Sequence, residues 1–196
     1  NYMPLIKSIS GLRGTIGGAP GENLTPLDTV KFVAAFVSLL KEKHDCKLKI
    51  VVGRDARLSG LALKNQVIAT LQFCGVTVID LDLATTPTVE MMVLKEKAQG
   101  GIILSASHNP KEWNALKLLN YFGEFISAAD GARLLELVDM SDFNFVSIEG
   151  NFSINTNFIS GSWLYFFRQV LKYFSSNSPF AYISLITFLI YCSVFG

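Results

Sequence analysis

After Glu149 the chain contains no acidic residue, and only Arg168 and Lys172 carry charge there. That absence excludes the mixed-charge, solvated surface of a soluble domain for the last 46 residues. The chain as a whole lacks a basic excess: its formal net charge is +1. An electrostatic footprint for nucleic acid is therefore missing. Cysteine is scarce and unpaired by number: Cys46, Cys74 and Cys192 are three, widely spaced, and form no CxxC pair. Their number and spacing exclude a disulfide framework and a zinc pattern, and they read as reduced thiols of a cytoplasmic protein. No basic segment followed by an apolar run stands at the start, so no secretory leader is expected. Asn1 rather than Met is the first residue, which leaves the beginning of the chain open.

What is present before residue 150 is a balanced chain with 15 basic and 16 acidic groups. Its length suits one α/β domain with a real core. Residues 5–9 alternate as a strand, and the glycine-rich residues 10–23 read as a long loop. Thr25, Pro26 and Asp28 form a helix start, with a buried stripe of Val30, Phe32, Val33, Phe36, Val37 and Leu40. Strands are expected over 48–53, 76–81, 101–105 and 116–119, the third of them very apolar and therefore central. Helices are expected from a capping Ser59 to the stop at Gly75, over 86–97, and over 127–138. Alternating strands and helices imply a three-layer α/β/α domain with a mainly parallel or mixed sheet, followed by an irregular hydrophobic tail. The expected divisions are 1–140 for the domain, 141–159 for a linker and 160–196 for the tail.

Ligands of such sheets gather beyond the carboxyl ends of the strands. Two polar clusters fall there, Arg54-Asp55 after one strand and Ser107-His108-Asn109 after another. A small nucleophile leaving a buried strand, with His108 and Asn109 as donors and Lys117 returning on the next strand, suits phosphoryl transfer. That reaction depends chiefly on aligning groups and stabilising spread negative charge. Taken alone, a Ser-His pair in a loop is as a rule a solvated turn.

Four segments together carry a resemblance. Ser105-Ala106-Ser107-His108-Asn109-Pro110 resembles the serine loop of the α-D-phosphohexomutases, in the form seen in phosphoglucosamine mutases. Ser10-Gly11-Leu12-Arg13-Gly14 is similar to that family's SGxRG loop. Gly53-Arg54-Asp55-Ala56-Arg57 is similar to its GRDxR segment, and Asn114-Ala115-Leu116-Lys117 to its NGxK segment. The order is the family's, over residues 5 to 138.

The resemblance implies a phosphoserine at Ser107 that gives its phosphoryl group to a hexose phosphate. A bisphosphorylated sugar forms, turns in the site and returns the other phosphoryl group. Ser107, His108, Lys117 and Arg13 are implied as catalytic, and Arg13, Asn109 and Lys117 as phosphate-binding, with Lys117 a candidate general acid/base. A hexose 1,6-bisphosphate is implied as activator, and Mg²⁺ as cofactor, held by the Ser107 phosphate and three aspartates. Physical chemistry agrees for Arg13, a fixed charge able to grip phosphate bidentately. Arg54, Asp55 and Arg57 are expected to brace the loop, and Gly11 and Gly14 to serve backbone geometry.

The family assembles its site from four domains, and three of their signatures are missing. Asp80-Leu81-Asp82 and Asp139-Met140-Ser141-Asp142 occur, but no DGDxDR triad does. Mg²⁺ prefers a near-octahedral oxygen shell. This chain alone is therefore expected to lack turnover, and the sugar is open among glucosamine, mannose and glucose phosphates. The alternative is a non-catalytic phosphosugar- or partner-binding module. For residues 160–196, the Phe, Ile, Tyr, Ser and Asn bias fits a shifted reading frame or truncation. A membrane anchor is the rival, but the uncharged run 180–195 falls short of the ~20 residues a span needs.

Overall fold

The computed structural model describes residues 5–8, 11–147 and 156–158. The tail expected over 160–196, both of its readings, and most of the late linker lie outside these residues. The described chain runs β1 (Ile6–Ser8), β2 (Gly11–Thr15), α1 (Pro26–Lys43), β3 (Lys49–Arg54), α2 (Gly60–Phe73) and β4 (Thr77–Leu83). It continues with α3 (Thr86–Lys95), β5 (Gly100–Leu104), β6 (Trp113–Leu119), α4 (Ala128–Met140) and β7 (Thr156–Phe158).

One seven-stranded sheet has the order β1-β2-β6-β5-β3-β4-β7. β3 pairs parallel with β4 and β5, and β4 with β7. β1, β2, β6 and β5 pair antiparallel in succession. The sheet is thus mixed, with β5 joining its parallel and antiparallel halves. From β3 the chain steps outward to β4 through α2, then returns past β3 to β5 through α3. Right-handed crossovers in opposite directions put their helices on opposite faces. α2 accordingly packs beside α1 and α4 on one face, and α3 covers the other.

Local chemistry explains the elements. Thr25 and Asp28 close a capping box at the start of α1. α1 is buried over most of its circumference, because it lies on the sheet with α2 and α4 on its flanks. Phe32, Val33, Phe36 and Val37 are at most 1% exposed, whereas Val30, expected in the stripe, is only half-buried. Gly75, at φ 79°, ends α2 after its cap at Cys74. α3 approaches the sheet closely over Gly53 and Gly101, where a Cβ would lie 2.5 Å from Val89 and 2.8 Å from Val93.

Two expectations need correction. Residues 11–15 are a strand, although their glycines suggested a loop. β6 offers a free edge, Leu12 is buried, and Gly11 at φ 138° approaches the Leu116 carbonyl as no residue with a Cβ can. Ser59 stands at the N-cap of α2 but does not cap it: its backbone is already helical and its hydroxyl accepts from Asn114 Nδ2 at 2.9 Å. Within the expected linker, Thr156–Phe158 adds a strand beside β4, and Gln72 Nε2 donates to Thr156 Oγ1 at 2.8 Å. Among the described residues no helix is long and apolar enough to cross a membrane.

Candidate active site

The carboxyl ends of β2, β5, β3 and β4 reach one edge of the sheet, and the loop from β5 to β6 lies across it. β5 is buried throughout, so the chain emerges from the core at Ser105 and must turn at once. Ser105 N–H donates to the Ala115 carbonyl at 3.1 Å, the last tie to β6 before the loop. Ser107 N–H then donates to Ser105 Oγ at 3.1 Å, and Asn109 N–H to the Ala106 carbonyl at 3.1 Å.

Ser107 has φ 55°, the left-handed region that costs a residue with a Cβ about 1–3 kcal/mol. The neighbouring structure holds it there. Arg57, its side chain 13% exposed, reaches under the loop. Its Nη1 donates to the carbonyls of Pro110 at 2.7 Å and Trp113 at 2.9 Å. Its Nη2 donates to those of Ser107 at 2.7 Å and Asn109 at 2.8 Å. A guanidinium presents its donors in a fixed planar fork, so one side chain fixes four carbonyls at once. Asp55 orients Arg57, accepting from its backbone N–H at 3.0 Å and its Nε at 3.3 Å. Asp55 is itself placed by its own N–H, which donates to the Leu104 carbonyl at 3.0 Å.

Held this way, the Ser107 side chain faces solvent, and Lys117 Nζ donates to its Oγ at 2.7 Å. Lys117 reaches it by strand alternation: Asn114, Leu116 and Leu118 point into the body of the domain, and Ala115 and Lys117 to the other face. Arg13 lies opposite Ala115 on β2, exposed on the same face as Lys117, whose own β2 partner is Gly11. Side chains on diagonal positions of paired strands lie within reach of long residues. Arg13, Lys117 and the Ser107 hydroxyl therefore share one open surface. His108 is exposed on the turn, and Asn109 is half-buried. Among the described residues the hydrogen-bond partner of the Ser107 hydroxyl is Lys117, not His108 or Asn109.

Behind the loop lies a charged network of which sequence reasoning anticipated only Arg54 and Asp55. Lys64, 6% exposed, donates from Nζ to Asp80 Oδ2 at 2.8 Å and Asp82 Oδ1 at 3.0 Å. Arg54 Nε donates to the same Asp82 oxygen at 2.8 Å, and Arg54 Nη1 to the Asp55 carbonyl at 3.3 Å. Burial pushes the Asp82 carboxyl up, but the hydrogen bonds from Lys64 and Arg54 outweigh it and hold it below the usual carboxylate range. Asn114, fully buried, also went unassigned: it ties the start of α2 to β6 through Ser59, and its Oδ1 accepts from the Ala115 N–H at 2.8 Å. The available signal was Asp80, a charge in the middle of an apolar strand.

Among the described residues no group of three or more His, Cys, Asp or Glu side chains is arranged to hold a metal ion. The carboxylates behind the loop are committed to cations, Asp55 to Arg57 and Asp82 to Arg54 and Lys64. The residues described do not by themselves fit an Mg²⁺ shell.

Residues 6–145 match the family model described as phosphoglucomutase/phosphomannomutase, alpha/beta/alpha domain I. A phosphoglucomutase/phosphomannomutase of Thermococcus kodakarensis is 38% identical over 135 residues, 68% of this chain and 30% of that protein. A phosphoglucosamine mutase of Chlamydia trachomatis serovar D is 35% identical over 138 residues, 70% of this chain and 30% of its own length. The chain thus spans about 30% of the length of these curated relatives. A crystal structure from Thermus thermophilus, provisionally named a phosphomannomutase, superposes with a TM-score of 0.70 at 24% identity. It covers 88% of this chain and 36% of that one. At that identity the likeness shows the fold.

Proposed function

This chain belongs to the phosphoglucomutase/phosphomannomutase family, of which it carries the α/β/α domain I, and from that premise we propose that it is the serine-bearing part of a phosphohexomutase. The reading is an intramolecular phosphotransferase that interconverts hexose 6-phosphate and hexose 1-phosphate, with glucosamine phosphate the favoured sugar. The observation that carries it is the 2.7 Å contact of Lys117 Nζ with the Ser107 hydroxyl at the mouth of β5.

In the forward step, phosphoserine 107 gives its phosphoryl group to a sugar hydroxyl. The Oγ–P bond breaks, a sugar O–P bond forms, and the proton lost by the sugar hydroxyl leaves to water or a substrate oxygen. Lys117 Nζ, already donating to Oγ, hands a proton to the departing serine oxygen. In the return step the same amine takes that proton back as Oγ attacks the other phosphoryl group; the sugar O–P bond breaks, and the departing sugar oxygen is protonated from water or a substrate oxygen, as microscopic reversibility requires. Arg13 grips the non-transferring oxygens and stabilises the charge that spreads over them. His108 and Asn109 complete the reading as donors to the phosphate, at the exposed tip of the loop. Arg57 fixes the loop, so that Ser107 meets its partner with little loss of motion.

Mg²⁺ is proposed only as the family's cofactor; a phosphate on Ser107 would be the one group that the described residues offer it, and the ion would supply charge neutralisation there. These residues by themselves are proposed not to turn substrate over: Ser107, His108 and Arg13 all face solvent, and water exclusion is incomplete. The setting proposed is cytoplasmic, with Cys46 and Cys74 as free thiols.

Incubation of the chain with a hexose 1,6-bisphosphate, followed by intact-mass measurement, tests the reading. The mass of one phosphoryl group should appear on the wild type and be absent from Ser107→Ala. Equal incorporation by both proteins, or none by either, would refute it.

A further inference from the structure

Lys64 is a buried cation that the proposed chemistry does not use, and its bonds lead toward the serine loop. It stands on α2, 6% exposed, against Asp80, which is also 6% exposed. A cation buried that far needs its charge answered, and Asp80 alone would answer it. Lys64 nevertheless also reaches Asp82 at 3.0 Å, and the Asp82 oxygen it meets is the one Arg54 Nε meets at 2.8 Å. Asp82 is held with its backbone at φ 52°, and its N–H donates to Asp80 Oδ1 at 2.8 Å. From Arg54 the connection continues to the Asp55 carbonyl, from the Asp55 carboxylate to Arg57, and from Arg57 to four carbonyls of the loop and its return. Asp80, Lys64, Asp82 and Arg54 alternate in charge along this line, a backbone carbonyl joins Arg54 to Asp55, and the Asp55 carboxylate then meets Arg57.

We propose that Lys64 is a positioning residue for Ser107, acting through Asp82, Arg54, Asp55 and Arg57 to set the conformation of residues 105–110. The functional part of the inference rests on the phosphotransferase reading, whereas the positioning part does not. Each hydrogen bond to a charged partner is directional, and a network that loses a terminal charge leaves its neighbour free to reorient. Without Lys64, Asp82 faces Arg54 alone, and Arg54 is free to swing from the Asp55 carbonyl. Arg57 then loses the fixed orientation that lets it span the loop. The core contacts of α2 through Leu63, Val67 and Leu71 do not depend on this line.

The test uses the full chain as wild type, Lys64→Met and Asp82→Asn, with two readouts. The first is peptide-resolved hydrogen exchange over 105–112. The second is the rate of phosphoryl incorporation from a hexose 1,6-bisphosphate. In Lys64→Met, exchange of the loop should rise about tenfold while β5 and α1 keep wild-type protection. Incorporation should slow about tenfold as Ser107 loses its alignment. Asp82→Asn, whose side chain is 32% exposed, covers the case in which Lys64→Met does not fold, and should show the same pattern at smaller size. Wild-type loop exchange in the folded variants would overturn the proposal. So would a rise by one factor across the whole sheet, which marks a merely structural role. If the wild type accepts no phosphoryl group, the phosphotransferase reading fails and the exchange pattern alone decides the positioning role.

Discussion

The two faces of the β2–β6 ribbon differ in what covers them. On one face Leu12, Leu116 and Leu118, each at most 1% exposed, join the core under α1 and α4. On the other, Ala106, Trp113 and Ala115 form a small cluster with Ile6, and Arg13 and Lys117 rise beside it toward solvent. α3 covers only the neighbouring half, where Val51, Ile79, Ile103 and Leu119 lie. Because side chains alternate across a strand, one short segment supplies packing with its even positions and chemistry with its odd ones. The site therefore rests directly on the core without sharing its side chains.

That comparison can be broken at several strengths. The largest effect belongs to the covered face: Phe36→Ala should cost about 3–5 kcal/mol, a large share of a domain's stability. Chemical denaturation measures it, and a loss under about 1 kcal/mol would show that α1 is not the keystone of the core. Arg57→Lys comes next. It keeps one charge but loses the planar fork, so phosphoryl incorporation at Ser107 should fall about tenfold with the fold intact. Unchanged incorporation would mean that the loop holds its turn unaided.

The smallest effect is a pH dependence. The Asp82 carboxyl sits below its usual range in the folded chain, so it binds its proton less readily there than when unfolded. Its contribution to stability is present above the ordinary carboxylate value and is lost as pH falls through the lower folded value. Asp82→Asn should lower stability at neutral pH, where the charged carboxylate contributes, and converge with wild type at acid pH, so that part of the acid slope disappears from the thermal melts. An identical acid slope in both proteins would assign the slope to other carboxylates, such as Asp130, whose pairing with Lys43 also lowers it.

Much of the fold was legible because its signals are local. Thr25, Pro26 and Asp28 announce α1, Gly75 ends α2, and the unbroken apolar run of β5 marks a central strand. Residues 11–15 were not legible, since Gly11 and Gly14 look like loop residues until β6 is there to pair with them. The placement of Lys117 against Ser107 could be anticipated from a strand that returns beside the loop. Arg57 showed only its local partner Asp55 in the sequence. Its four carbonyl acceptors lie about 50 residues onward and exist only once β5 and β6 have met β3. Lys64 was invisible for the same reason, because its partners come from β4 and nothing on its own helix, where it is the one charged residue, marks it as buried.

The neighbours Leu116 and Lys117 offer the most direct measurement. Stability by denaturation and phosphoryl incorporation by intact mass would be read for Leu116→Ala and Lys117→Met in the full chain. The division of labour predicts that Leu116→Ala loses about 2–5 kcal/mol, while its folded fraction still accepts phosphate. Lys117→Met should stay within about 0.5 kcal/mol of wild type and lose incorporation by about 10²–10⁴. Wild-type incorporation by a folded Lys117→Met would contradict the account, because the amine beside the Ser107 hydroxyl would then have no part in the transfer.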